Sequence, residues 1–196
     1  MEADWEVEIG GQAPIIDACW EGLIDLRRFP ERAGQLPEVR QLAGLADALV
    51  QLNSASSPVC TAKCDVWRPP DVDVDELDAQ PEQGNCAIAC YIDLLPRNHR
   101  QWPSPEKVVA ECQTIGARLR KVPLRCCRAD LIVRRAYVTP DWQDLGITAY
   151  LAACGSTWNQ ARATLASALF AFVQSILAVD PSAIAASKLQ SKNAGE

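Results

Sequence analysis

The sequence contains a single histidine, His99, in 196 residues. That scarcity removes two classes of chemistry. A cysteine–histidine catalyst needs an imidazole base, and His99 falls in a loop between predicted elements. Ordinary structural zinc sites draw on histidine or on C-x2-C knuckles, and the chain has no such knuckle. The motif inventory is equally bare: no G-x-S-x-G elbow, no phosphate loop and no G-x-G-x-x-G turn occurs.

Membrane length and basic charge are also in deficit. The longest apolar run, Leu165 to Val179, is broken by Ser167, Gln174 and Ser175. It covers roughly 15 residues, short of the roughly 20 that cross a bilayer. The opening MEADWEVEIG is acidic and has no apolar core, so no secretory signal is expected. Lys and Arg number 19 against 25 Asp and Glu, for a net charge of -6 and a pI near 4.9. Phosphate binding needs a clustered basic surface, so nucleic acid is excluded as a partner. The expectation is a soluble, cytoplasmic, acidic protein that associates with neither membrane nor nucleic acid and steers toward basic partners.

Cysteine, in contrast, is plentiful. Nine residues, an odd count without a signal, read as reduced thiols. Cys60, Cys64, Cys86, Cys90 and Cys127 fall in phase with the apolar side of predicted strands. Cys19 and Cys112 fall on helical stripes, where free cysteine acts as a small buried hydrophobe. Cys126 and Cys154 phase with the polar side. Either becomes reactive if Arg125 or Arg128 lowers its pKa.

The organising stretch is Leu124 to Gly155, LRCCRADLIVRRAYVTPDWQDLGITAYLAACG. Alternate positions are apolar, and the others carry charge or an aromatic hydroxyl. That is the pattern of an antiparallel pair with one buried face. With a turn near Asp141 and Trp142, Arg134 is expected opposite Tyr150 and Asp130 opposite Cys154.

Upstream, Trp5, Val7 and Ile9 alternate with Asp4, Glu6 and Glu8, giving a first strand whose carboxylates guard a sheet edge. Ile15, Ile16, Cys19, Leu23 and Ile24 recur at helical spacing after Pro14, and Leu42, Leu45, Leu49 and Leu52 form a second stripe. VCTAKCDVW and NCAIACYIDLLP read as strands, the latter apolar enough to be covered on both faces. Ser104, Pro105 and Glu106 open a helix with Val108, Cys112, Ile115 and Leu119 inward. Thr157 and Gln160 form a capping box for a last helix ending near Ala178.

This order predicts an α+β two-layer sandwich, a mostly antiparallel sheet of about five strands with helices on one face. Its first six elements follow the ferredoxin-like order βαββαβ, with an added strand and a C-terminal helix. Residues 1–180 are expected to form one domain and 181–196 a flexible tail.

Three constellations remain. Asp71, Asp73, Asp75 and Glu82 have the carboxylate spacing of a calcium loop. Glu76 stands where that loop needs glycine, and the stretch reads as a solvated acidic loop instead. Two C-x3-C pairs lie on strands, where a separation of four residues spans roughly 13 Å, too far for one pair to hold one metal. No metal, cofactor or catalytic residue is therefore assigned. The third constellation is a polar sheet face of Lys63, Asp65, Trp67, Tyr91, Asp93, Arg128, Asp130, Arg134, Thr148 and Tyr150. Its residue types suit an unknown protein or a small anionic or zwitterionic ligand. Six tryptophans, four of them (Trp67, Trp102, Trp142, Trp158) at element ends, suit interface anchors. The reading is a non-enzymatic cytoplasmic binding or interaction protein, of inhibitor or immunity type or self-associating as a homo-oligomer. The alternative is a small hydrolase or transferase using the Asp and Arg residues of that face.

Overall fold

The computed structural model describes residues 1–178 except 72, 99, 100, 140 and 141, and only the backbone of 139, 142 and 143. His99, Asp141 and the tail 181–196 lie outside the described residues, as does the side chain of Trp142. The strands are β1 (Glu2–Glu8), β2 (Ile16–Asp17), β3 (Val59–Trp67), β4 (Cys86–Pro96), β5 (Cys127–Thr139) and β6 (Trp142–Gly155). The helices are α1 (Leu45–Asn53), α2 (Pro105–Leu119) and α3 (Trp158–Leu177). Short 3-10 turns cover Pro30–Gln35, Pro37–Arg40 and Pro81–Gln83.

The sheet runs β1-β5-β6-β4-β3, with β2 also paired to β5. The β5–β6, β6–β4 and β4–β3 ladders are antiparallel, whereas β1 and β2 lie parallel to β5. All three helices cover one face: α2 over β1 and β5, α3 over β6 and β4, α1 beside β3. This is the α+β architecture expected. The βαββαβ order holds along the chain once the two-residue β2 is set aside, while in the sheet the first strand sits at the edge beside β5.

Period-two alternation produces the inner face. Leu131, Val133, Ile147, Ala149, Leu151, Cys90, Ile92 and Leu94 are each fully buried against the helices. The helical stripes answer them with Leu45, Leu49 and Leu52 of α1, Val108, Cys112, Ile115 and Leu119 of α2, and Leu165, Leu169, Phe172 and Val173 of α3. Each large side chain buried there contributes about 1.5–3 kcal/mol. The α3 N-terminus is capped as its sequence indicates, Gln160 N–H donating to Thr157 Oγ1 at 3.3 Å.

Three expectations are corrected. The apolar positions after Pro14 do not build a helix. Ile16 enters β2, Asp17 Oδ1 accepts from Cys19 N–H at 2.8 Å, and Gly22 takes φ 98. A side chain-to-backbone turn and a left-handed glycine compete with helix here and win. Cys19 is consequently exposed. The second correction is in β3, where an irregularity between Thr61 and Cys64 flips the phase. Cys60 and Ala62 therefore face away from the helices, and Cys64 and Val66 face toward them. The third is the hairpin register, in which Arg134 pairs with Gly146 and Asp130 with Tyr150. Strand β6 already begins at Trp142, so the register moves by four residues, an even step that leaves every side chain on its expected face.

Among the described residues, apolar cover of the outer face is found at its two ends. At one end Ile16 packs on Cys60, Ala62, Leu95 and Ala136. At the other, Leu77 and Ala79 of the acidic loop pack on Ala87 and Cys154. That loop is seated on the sheet, with Arg125 paired to Asp78 at 3.1 Å and Ser156 Oγ–H donating to Glu82 O at 2.9 Å. Gly146 provides the room beneath Ile16: an added methyl would stand 2.7 Å from Ile16 Cδ1 and 2.8 Å from Leu94 O. Gly146→Ala is expected to lower stability by about 1–3 kcal/mol through overpacking, read from urea unfolding. An unchanged midpoint would mean that Ile16 is not seated there.

Candidate functional site

Between the two covered ends lies a band of sheet with an open aromatic half and a more buried charged half, and the register fixes its membership. Successive cross-strand rows run Arg128–Ala152–Ala89–Trp67, then Asp4–Asp130–Tyr150–Tyr91–Asp65, then Ile132–Thr148–Asp93, then Glu8–Arg134–Gly146. Nine of the ten expected face residues thus share the outer surface. The tenth, Lys63, sits in the β3 irregularity, its Nζ 5.5 Å from the centre of the Trp20 ring.

The band has an aromatic half and a charged half. Trp67, Tyr91 and Tyr150 form a triad with ring centres 6.2, 6.2 and 5.8 Å apart, the Trp67–Tyr150 pair edge to face. Rings so spaced are in mutual contact and form a platform, not a cage around a cation. Each keeps part of its surface open to solvent. In the charged half, Arg134 donates from Nη2 to Glu8 Oε2 at 2.8 Å and from Nη1 to Tyr150 Oη at 3.3 Å and Thr148 Oγ1 at 3.4 Å. Thr148 Oγ1–H in turn donates to Asp93 Oδ1 at 2.6 Å. Arg128 Nε donates to both Asp130 oxygens, at 2.7 and 2.9 Å.

Burial separates these groups. Asp93, Arg134 and Thr148 are 6%, 9% and 1% exposed, so they form an interior network and not a solvated row. The Asp130 side chain is 38% exposed and Asp65 is open. Burial pushes the Asp93 carboxyl above its ordinary value, against the opposing pull of the Thr148 bond, Arg134 and Lys63. Burial, with Asp93 and Asp65 adding to it, pushes the Tyr91 hydroxyl up to about 12. Three of the sheet thiols are poor nucleophiles: burial pushes Cys64 and Cys90 to about 12 and Cys154 to about 11.

Two clefts flank the platform. One, of about 370 Å³ at the β3 side, is lined by Trp20, Leu26, Lys63, Asp65 and Tyr91 among others. The other, of about 270 Å³ at the β1 side, sets Asp4, Glu6, Glu76 and Asp130 around Arg128. Sequence reasoning missed Asp4, Glu8, Trp20 and Glu76 as members of the site. The β1 carboxylates were visible as edge protection, but their parallel pairing with β5 left no sequence signal. Of the tryptophans at element ends, Trp102 is 2% exposed and serves the core, while Trp158 stacks under Arg68 at 4.2 Å.

Among the described residues, no group of three or more His, Cys, Asp or Glu is placed to hold a metal, and no helix is long and apolar enough to cross a membrane. No family model, curated protein or solved structure matches the chain.

Two outcomes follow from the burial. Arg134→Ala strands Glu8 and the Thr148–Asp93 pair, so it is expected to cost about 2–4 kcal/mol. Asp130→Ala removes a half-exposed pair and should cost under ~1 kcal/mol in the same urea titration. Equal costs would show that the Arg134 network contributes nothing beyond a surface ion pair.

The raised Asp93 pKa makes stability itself pH-dependent. The folded protein holds this proton more tightly than the unfolded chain does. Its contribution is therefore fully present below the ordinary value of 3.8 and lost as pH rises through the folded pKa. Asp93→Asn keeps an acceptor for Thr148 and has no such loss. Its stability relative to wild type should climb as pH rises from 3.8 through the Asp93 titration and then level off. A relative stability that falls over that range would show that Arg134 and Lys63 favour the carboxylate more than burial opposes it.

Proposed function

We propose that the chain is a non-enzymatic binding protein of the cytoplasm whose outer sheet face takes a basic segment of a partner protein. The observation that carries this reading is the aromatic platform of Trp67, Tyr91 and Tyr150, open to solvent and bordered by carboxylates on both sides. An arginine or lysine side chain lays its stem or its charge on such rings, and the flanking carboxylates accept its protons. The arginines of the face are already engaged, Arg134 with Glu8 and Arg128 with Asp130 and Asp4, and Lys63 lies over the Trp20 ring. An anionic ligand would have to displace those carboxylates, and a basic one would not. The net charge of -6 adds long-range steering of the same sign.

Hydrolase or transferase chemistry has less support. Asp93 is engaged by Thr148, Asp130 by Arg128 and Glu8 by Arg134. A general base needs a free lone pair aimed at substrate, and a nucleophile needs an activating partner. The cytoplasmic setting is supported by nine unpaired cysteines, of which five are buried.

The test is an NMR titration of the labelled chain with short arginine- and lysine-rich peptides and with their charge-reversed counterparts. Basic peptides should shift resonances of Trp67, Tyr91, Tyr150 and the β1 strand, and the shifts should fade with added salt. Trp67→Ala should weaken the interaction about tenfold or more, ~1.4 kcal/mol, as expected for an aromatic anchor. Preference for the acidic peptides, or shifts confined to the helix layer around the exposed Phe170, would overturn the proposal.

A further inference from the structure

Cys126 and Cys154 face each other at the open end of the β5–β6 hairpin. The ladder pairs Cys127 with Ala153, and one step further out Cys154 N–H donates to Cys126 O at 2.9 Å. Their side chains pack in the same small cluster at that end of the sheet. The backbone bond holds the two residues side by side, as a disulfide with its Cα span of about 4.4–6.8 Å requires. Cys126 is partly exposed and Cys154 is 1% exposed. Cys126 also has φ 59, a left-handed backbone that few non-glycine residues adopt. Cys64 and Cys90 are also neighbours, but they are offset across β3 and β4, point into the core, and Cys90 is fully buried.

We propose that Cys126 and Cys154 are a dithiol–disulfide pair, oxidised by low-molecular-weight disulfides, whose state sets how firmly the acidic loop is held on the sheet. The surroundings supply the second half of that statement. Both sulfurs belong to the cluster on which Leu77 and Ala79 sit, and Arg125, next to Cys126, holds Asp78 of the same loop. The loop also carries Glu76, a wall of the β1-side cleft. A covalent link between the strand ends therefore braces the floor under the loop and, through it, one wall of the candidate site.

The order of events follows exposure. Cys126 loses its proton to solvent, and its sulfur attacks one sulfur of the small disulfide. A mixed disulfide forms and one small thiolate leaves. Cys154, held back by burial that pushes its pKa to about 11, then loses its proton and attacks the Cys126 sulfur, expelling the second thiolate. The protein gives up two electrons and two protons, and the small disulfide becomes two thiols. A reducing dithiol reverses both steps.

The inference is independent of the proposed ligand. The full chain is incubated with oxidised glutathione in graded ratio to reduced glutathione, blocked by alkylation in denaturant and mapped by mass spectrometry. The first disulfide to appear should link Cys126 to Cys154, with the other seven cysteines still alkylated. Cys154→Ser should stop at a glutathione adduct on Cys126, and Cys126→Ser should give neither product. Limited proteolysis between Arg68 and Gly84 should slow on oxidation of the wild type and stay unchanged in Cys154→Ser. A persistent adduct on wild-type Cys126, a first disulfide elsewhere, or proteolysis indifferent to oxidation would overturn the proposal. The wild-type mapping decides the pairing even if a variant fails to fold.

Discussion

The pleat phase of the β5–β6 pair is the constraint on which the rest depends. Cys127, Ala129, Leu131 and Val133 alternate into the helix layer, as do Ile147, Ala149, Leu151 and Ala153 across from them, and all eight are fully buried. A one-residue slip would turn this entire set to the other face, at about 1.5–3 kcal/mol for each large side chain. The same alternation leaves Arg128, Asp130, Arg134, Thr148 and Tyr150 no option but the outer face. Their common location is a consequence of core packing. Their residue types are not, since a solvated face would accept almost any polar side chain.

Strand length explains the cover at each end. β4, β5 and β6 run 11, 13 and 14 residues, and their ends carry Ala87, Leu95, Ala136 and Cys154 on the outer side. Apolar groups there need cover that the helix layer, on the opposite face, cannot give. The two long irregular segments supply it, one through Ile16 and the other through Leu77 and Ala79. Long loops in compact domains tend to be functional, and here they leave uncovered only the band that carries the aromatic platform. Size and boundary of the candidate site are thus set by where the loops stop.

Legibility from sequence tracked the range of the deciding interaction. The stripes of α1 and α2 and the alternation of β5 and β6 are local, and the residues they nominated are the buried ones. Residues 14–26 carry an apolar spacing that helix and loop both satisfy. The outcome there turned on Asp17 bonding its own backbone and on Ile16 finding a sheet partner 120 residues away at Ala136. The β3 irregularity was silent because a one-residue phase change leaves composition untouched, and it sent Cys60 to the unexpected face. The partners that complete the site, Asp4 and Glu8, depend on β1 adding parallel to β5, a pairing with no local signature. Asp93 and Arg134 read as solvated charges, since burial by neighbours on three other strands cannot be inferred from their own segments.

The network around Arg134 also bears on how the face would recognise a partner. Glu8, Arg134, Thr148 and Asp93 come from β1, β5, β6 and β4, so one chain of hydrogen bonds crosses four strands. Its direction is fixed at one end: Arg134 has only donors, so Thr148 Oγ1 accepts from it and donates its own proton to Asp93. That direction suits an ionised Asp93, while burial favours the protonated acid, and the two influences oppose each other at one carboxyl. Either charge state keeps the four strands tied together, because a protonated Asp93 could still share its proton with Thr148. A surface held this way loses little freedom when a partner arrives, and tight binding to a modest area depends on that saving. The aromatic rings beside the network rest on Tyr150, whose hydroxyl Arg134 holds. Rigidity in the charged half is thereby passed to the platform that would make the contact.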